Sequence, residues 1–549
     1  MQKTWLQDII LLTLLIGTLF TLFLGTRPLS TPDEARYSEI PREMVVTGDY
    51  VTPHINYIKY FEKPPFFYWM QASAIKLFGL SEWSMRSTTA LMGLLGCLFT
   101  YIAARKLFTR RCGWLASLIL ATSLLYYLMA RFITIDMTLT TLLTASLFSF
   151  LLGVHEPTGK KRNLCMWSMY AFSALAMLTK GLVGVIFPGM IIFVWMAIFN
   201  DWKNLKTYCL PTGILIWLAI ALPWHILVQL RNPEFFHYYF IKQQFARYLT
   251  PIENREQPFW FLSTTLIVGF VPWIVFLIPT VRYNLPSSWQ QRSQQKPAIF
   301  LLLWVALIFI FFQFSNSLLI PYILPVFPAL AVLTARYLDS LWETKYKPSI
   351  YVGLWIFLTI TIALLIVTIA NVVYLHLLPN SKFLLLISSL LLCTAITALG
   401  FYKRYNIKTA IIALIVGFST TLTLINLGTA PFTTTSIKPL AIQLKAILKP
   451  NNSVLIYHGY AQDLPFYLQR RVVLVAPGNS ELSFGMQHQN MSGWLISDET
   501  LWQDWRNSKR LFMLMDRYNY MQLLKNSPAP IYVIAQNSKS VIVTNQRVN

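Results

Sequence analysis

Apolar runs of near-constant length alternate with short polar connections over most of this chain. Runs close to the ~20 residues that cross a bilayer core fall at roughly 8–24, 87–104, 112–130, 137–154, 165–179, 182–199, 209–230, 259–280, 298–314, 318–338, 350–371, 383–402 and 409–428. The pattern predicts about thirteen transmembrane helices. Prolines inside some of them, as in "YILPVFPAL" from Tyr322, are tolerable where neighbouring helices satisfy the freed backbone. The apolar run Phe66–Gly79 is too short to span and reads as an interfacial helix. After Gly428 the period changes. Short β-branched runs at Ser453, Arg471, Arg510, Ile531 and Ser540 alternate with helical segments such as "TLWQDW", which predicts a small soluble α/β domain. The expected fold class is thus an α-helical polytopic membrane protein with a C-terminal α/β domain. Its boundaries are 1–428, with main outer loops 25–86 and 231–258, and 429–549.

Composition agrees, with 55% hydrophobic and 12% charged residues. The net charge of +23 is explained by topology before nucleic acid, because alternate connections are basic and nearly free of acid. These are "RKLFTRR" from Arg105, "TGKKRN" from Thr158, "NDWKNLK" from Asn200, the segment from Val281, "ETKYK" from Glu343 and "YKRYNIK" from Tyr402. They are expected in the cytoplasm, with the N-terminus. The other connections and the tail are then expected on the outer side of the membrane. The five cysteines lie in spans or at their cytoplasmic ends, so no external disulfide framework or cysteine zinc site is implied. The first span lacks an A-x-A cleavage pattern and reads as a retained helix.

Asp33, Glu34, Glu62 and Asp136 all fall on the outer face. Carboxylates beside cations at headgroup depth suit an enzyme acting on amphipathic lipids. A transporter would place ionisable residues at mid-helix. Plainer readings stand beside this one. "TPDE" is also a helix start, with Thr31 as cap. Asp136 is near enough to Arg131 for a structural ion pair, Glu62 and Lys63 before "PP" read as a solvated turn, and Lys180 as a snorkelling lysine.

Five stretches appear in an order that resembles one family: "STPDEARYSEIPREMVVTGDYVTPHINYIKYFEKPPFFYWMQ", "RFITIDM", "LTKGLVGVIFPG", "LPWHILVQLRNPEFFHYYF" and "PYILPVFPALAVL". It is that of the lipid A aminoarabinose transferases, GT-C glycosyltransferases related to the protein O-mannosyltransferases. The resemblance covers roughly residues 25–335. It implies transfer of a sugar, 4-amino-4-deoxy-L-arabinose, from undecaprenyl phosphate to lipid A or a related envelope glycolipid, giving resistance to cationic peptides such as polymyxin. A relative moving a hexose or galacturonic acid to a glycolipid or protein is the alternative, and a transporter the alternative of another class.

By the same resemblance Asp33 and Asp136 are the catalytic carboxylates. Arg36, Tyr37, Tyr60, Lys63, Lys180, Arg247 and Tyr322 line the donor and its phosphate, and Glu62 is a candidate metal ligand. Cations there would stabilise the phosphate that leaves. The chain departs from the family in two places. Its third outer loop reads "FIKQQFARYL", with no histidine nearer than His237, and Leu318 stands where the family commonly has lysine. No cofactor is firmly implied; the partners implied are the lipid donor, the glycolipid acceptor and membrane lipid, with no nucleic acid.

Overall fold

The computed structural model describes residues 2–246, 256–375, 380–428, 436–507 and 509–547. Among these, nine helices are long and apolar enough to cross a membrane, or eleven if each of two bent pairs is one span. The thirteen expected segments are all helical in whole or part, but the count contracts. Lys160–Lys180 fails on its polar first turns, and Val183–Phe199 is only 17 residues long.

In chain order the early elements are α1 (Gln2–Thr21), α2 (Asp33–Thr47), the hairpin strands β1 (His54–Ile55) and β2 (Ile58–Lys59), α3 (Phe66–Phe78) and α4 (Glu82–Leu107). Then come α5 (Arg110–Ala121), α6 (Leu124–Ala130), α7 (Ile135–His155), α8 (Lys160–Lys180), α9 (Val183–Phe199) and α10 (Leu210–Arg231). Contacts divide the chain into two compact units. A helical unit comprises Met1–Leu24, Arg86–Leu230 and Phe236–Gly428; a loop–tail unit comprises Gly25–Met85, Arg231–Phe235 and Thr429–Asn549. The first outer loop therefore packs with the tail, across the chain order that hydropathy alone suggests.

In the helical unit α7 is the central span, its apolar window 83% buried. Two expected single spans are broken, α5 and α6 by 69° and Phe261–Gly269 with Trp273–Asn284 by 102°. A break in a membrane helix exposes backbone groups that lipid cannot satisfy, and here the breaks satisfy each other. The Leu124 amide donates to the Val271 carbonyl at 3.2 Å, and the Trp273 indole donates to Thr122 Oγ1 at 3.0 Å. Pro188 in α9 likewise leaves the Gly184 carbonyl without its helical donor. The Ser173 hydroxyl of α8 supplies one at 2.8 Å.

The tail folds as expected into a sheet ordered β5-β4-β3-β6-β8-β7. Its strands are β3 (Ser453–Tyr457), β4 (Val473–Val475), β5 (Leu495–Ile496), β6 (Leu511–Asp516), β7 (Tyr532–Gln536) and β8 (Ser540–Thr544). The first four in space are parallel, and β8 and β7 pair antiparallel. The β1–β2 turn places Asn56 and Tyr57 at φ of 53° and 60°, the left-handed pair that a two-residue hairpin needs. The Asn56 side chain then both donates to and accepts from the Val472 backbone, at 3.0 and 2.9 Å, tying the hairpin to the tail.

Candidate active site

In the loop–tail unit the charge of the first loop is gathered on α2. Although rich in charge, this helix buries Glu34, Glu39, Arg42 and Glu43, which is tolerable only with partners. Arg27 grips Glu34 through two bonds of 2.6 and 2.9 Å, and Arg42 grips Glu39 at 2.7 and 2.6 Å. Burial, with Glu39 alongside, pushes the Glu43 carboxyl well above its ordinary range. The expected Thr31 cap is not what starts the helix. Pro32 occupies the cap position without a side-chain bond, and the Glu34 carboxylate reaches back to the Ser30 amide at 3.0 Å.

This bonding frees Asp33, whose side chain is 47% exposed and 3.4 Å from the Arg36 guanidinium. Arg36 in turn pairs with Glu481 of the tail. Burial opposes the Arg36 charge, but Tyr60, Glu481, Tyr37 and Glu62 around it outweigh that and hold it protonated. Burial raises Glu481 while Arg36 pulls it down, leaving it above the ordinary carboxylate range. Tyr37 meets Phe67 edge-on at 6.1 Å and Tyr68 at 6.2 Å. The hydroxyls of Tyr60 and Tyr68 and Arg36 Nε are buried without a hydrogen-bond partner, so the cluster holds polar capacity that a ligand would use. Lys63 is buried at 8% exposure, which removes the solvated-turn reading. Tyr68 was legible as an aromatic in "PPFFYW"; Glu481 carries no local signal and only the fold brings it to Arg36.

In the helical unit three separate connections meet. Asp136 lies in the first turn of α7, where the helix dipole favours an acid, and Lys180 ends α8, where it favours a cation. They form an ion pair with side chains 11% and 13% exposed, and Lys180 Nζ lies 4.2 Å from the Tyr322 ring centre. Lys180 is thus no snorkelling lysine. Nor is Arg131 the partner of Asp136; it donates to the carbonyls of Leu19, Phe20 and Leu22, closing the end of α1. Thr134 and Thr138 beside Asp136 have buried, unpartnered hydroxyls. Leu318 is buried, and Lys242 is exposed beside the Tyr238 ring. Arg247 lies outside the described residues. Among the described residues no group of three or more His, Cys, Asp or Glu side chains could hold a metal ion.

Residues 10–239 match the family described as dolichyl-phosphate-mannose-protein mannosyltransferase, and residues 440–545 the aminoarabinose transferase C-terminal domain. The chain is similar to the undecaprenyl phosphate-α-4-amino-4-deoxy-L-arabinose arabinosyl transferase of Pectobacterium carotovorum, 27% identical over 94% of each chain. It is 33% identical to arabinosyl transferase 1 of Proteus mirabilis over 58% of this chain, and that match spans 57% of the relative's length. Among solved structures, ArnT from Cupriavidus metallidurans bound to undecaprenyl phosphate superposes with a TM-score of 0.86 at 29% identity, covering 98% of both chains. The likeness runs through the membrane helices and the tail alike, and the chain, a multi-pass membrane protein, belongs to the aminoarabinose transferase family of GT-C glycosyltransferases related to the protein mannosyltransferases.

Proposed function

We propose that this chain transfers 4-amino-4-deoxy-L-arabinose from undecaprenyl phosphate to lipid A at the periplasmic face of the bacterial inner membrane. The observation that carries the reading is the likeness over 98% of the chain to a transferase whose solved structure holds undecaprenyl phosphate. The charge pattern of the connections supports the orientation: basic loops to the cytoplasm, Asp33, Asp136 and the tail to the periplasm.

In the reaction the bond between the anomeric carbon and the phosphate oxygen breaks. Undecaprenyl phosphate leaves with the electron pair, and an acceptor phosphate oxygen bonds to the carbon. The acceptor is already ionised at neutral pH, so no base is required. Charge develops on the leaving phosphate, and a preorganised cation is worth most there. Lys180 fits that task because Asp136 and Tyr322 fix its ammonium before substrate arrives. Asp136 then acts by placing Lys180. By the resemblance in sequence, Arg36, Tyr37, Tyr60, Lys63 and Arg247 are assigned to supplying charge and hydroxyls for the donor. Asp33, exposed and unbound except to Arg36, meets the substrate, where it holds the donor amine or stabilises positive charge at the anomeric carbon. No step is assigned to a metal.

The test is lipid A from a strain lacking its own aminoarabinose transferase, with and without this gene, analysed by mass spectrometry. Lipid A heavier by one aminoarabinose supports the proposal. A hexose or uronic acid increment, or a modified protein and unchanged lipid A, overturns it. Alkaline phosphatase activity in a fusion at Arg110, or none at Asn490, would overturn the orientation.

A further inference from the structure

A groove of about 430 Å³ lies among α8, α9, α10 and the 3-10 helix Asp201–Tyr208. It uses none of the residues assigned to transfer. Its α9 wall runs from Val185 to Met196. Eleven steps of 1.5 Å make about 16 Å, half of the ~30 Å hydrocarbon core; the groove is one leaflet deep. The walls are almost wholly apolar, and their few polar groups are mostly engaged, Ser173 with Gly184 and Tyr208 with Asp201. The exception is Trp217 Nε1, buried and without a partner.

One end of this groove is basic. Trp202, Leu205 and Tyr208 of the 3-10 helix line it, and the same helix exposes Lys203 and Lys206. Arg162 donates to Thr207 Oγ1 at 2.5 Å and lies 5.8 Å from the Tyr208 ring centre, while its Nε is buried without a partner. Lys160 and Lys161 are exposed beside it. The single acid of the 3-10 helix, Asp201, is taken up by Tyr208 and Asn204. Aromatic side chains with cations at the end of an apolar groove match the interface between acyl chain and headgroup. Lys180 stands 18 residues from Arg162 on α8, about 27 Å along the helix, so this phosphate position is separate from the one assigned to the donor.

We propose that the groove is a site for an anionic phospholipid of the leaflet on the basic-loop side, with one acyl chain along α9, an ester carbonyl on Trp217 and the phosphate against Arg162. A single contact of this kind, charge-assisted, should give about a tenfold preference over a zwitterionic lipid.

Gly189 lines the groove, and a Cβ built on it meets nothing within 4 Å, so Gly189→Leu fills the groove without a backbone clash. Purified, delipidated protein is titrated in detergent with fluorescent phosphatidylglycerol or phosphatidylcholine of the same chains. Wild type should bind phosphatidylglycerol about tenfold tighter. Arg162→Gln should reduce that to the phosphatidylcholine level, and Gly189→Leu should weaken both lipids about tenfold. Free glycerol phosphate should not displace the lipid; if it does, the site is an anion site and the groove no part of it. Equal binding of the two lipids by wild type, no binding above detergent, or binding indifferent to both substitutions overturns the proposal. Both variants should elute as wild type and keep transferase activity. Should Gly189→Leu fail to fold, Ile192→Trp closes the groove from the next turn and is read in the same way.

Discussion

If Asp136 works only by placing Lys180, the two residues must behave as one in kinetics. Lys180→Met keeps much of the side chain and removes the charge. One charge-assisted contact to phosphate is worth about 1.5–3 kcal/mol, which is about 10- to 150-fold in transfer. Asp136→Asn leaves the ammonium on Tyr322 but loosens it, and should cost less. In the double variant Asp136→Asn has nothing left to place, so transfer should fall within about twofold of Lys180→Met, with the pair coupled by about 0.5–3 kcal/mol. Stability should move the other way. Both side chains are nearly buried, so Lys180→Met strands a carboxylate at a cost of about 3–5 kcal/mol, and the double variant should recover much of that. The assay is kcat/KM for all four purified proteins, with thermal unfolding in the same detergent. Losses that multiply in the double variant would refute the reasoning and make Asp136 an independent catalytic carboxylate.

Asp33→Asn should leave yield and unfolding temperature near wild type, because the side chain's polar contact is only a 3.4 Å approach to Arg36, and reduce transfer by at least about a hundredfold, the scale for losing one preorganised electrostatic contact at a reacting centre; normal transfer would show that Asp33 has no part in the reaction. Asp463, fully buried, is pushed by burial from 3.8 up to about 6. Its neutral form is therefore the stable one. Stability is full below about pH 4 and is lost as pH rises through 6, by about 3 kcal/mol at neutral pH. Asp463→Asn should then raise the unfolding temperature at pH 7.5 and make no difference below about pH 4; a gain independent of pH would count against this. Dialysis against EDTA should leave most of the transfer activity, since no three-ligand cluster exists among the described residues. Complete loss restored by one divalent ion would show a metal site.

The hydropathy pattern located the helical segments and five of the tail's strands because each is set by its own local sequence. It missed β5, two residues long, whose existence depends on pairing with β4. The two broken spans were invisible for a related reason. Thr122 and Ser123 are no strong helix breakers, and the break is stable because a second, distant break around Val271 satisfies it. Candidate site residues were legible where they stood in dense local motifs, as Asp33, Arg36 and Lys63 do. Pairings were not: Glu481, unnoticed in the sequence, reaches Arg36 from the tail, and Lys180 and Asp136, each noticed singly, form a pair that only the fold reveals. Proximity in sequence misled at Arg131, five residues from Asp136 but spent on the carbonyls of α1.

The most direct measurement is transfer by the purified protein, given undecaprenyl phosphate-linked aminoarabinose and lipid A and followed by mass spectrometry of both lipids. The account predicts lipid A heavier by one aminoarabinose, with one undecaprenyl phosphate released per transfer. Unchanged lipid A alongside transfer of another sugar, or to another acceptor, would contradict it.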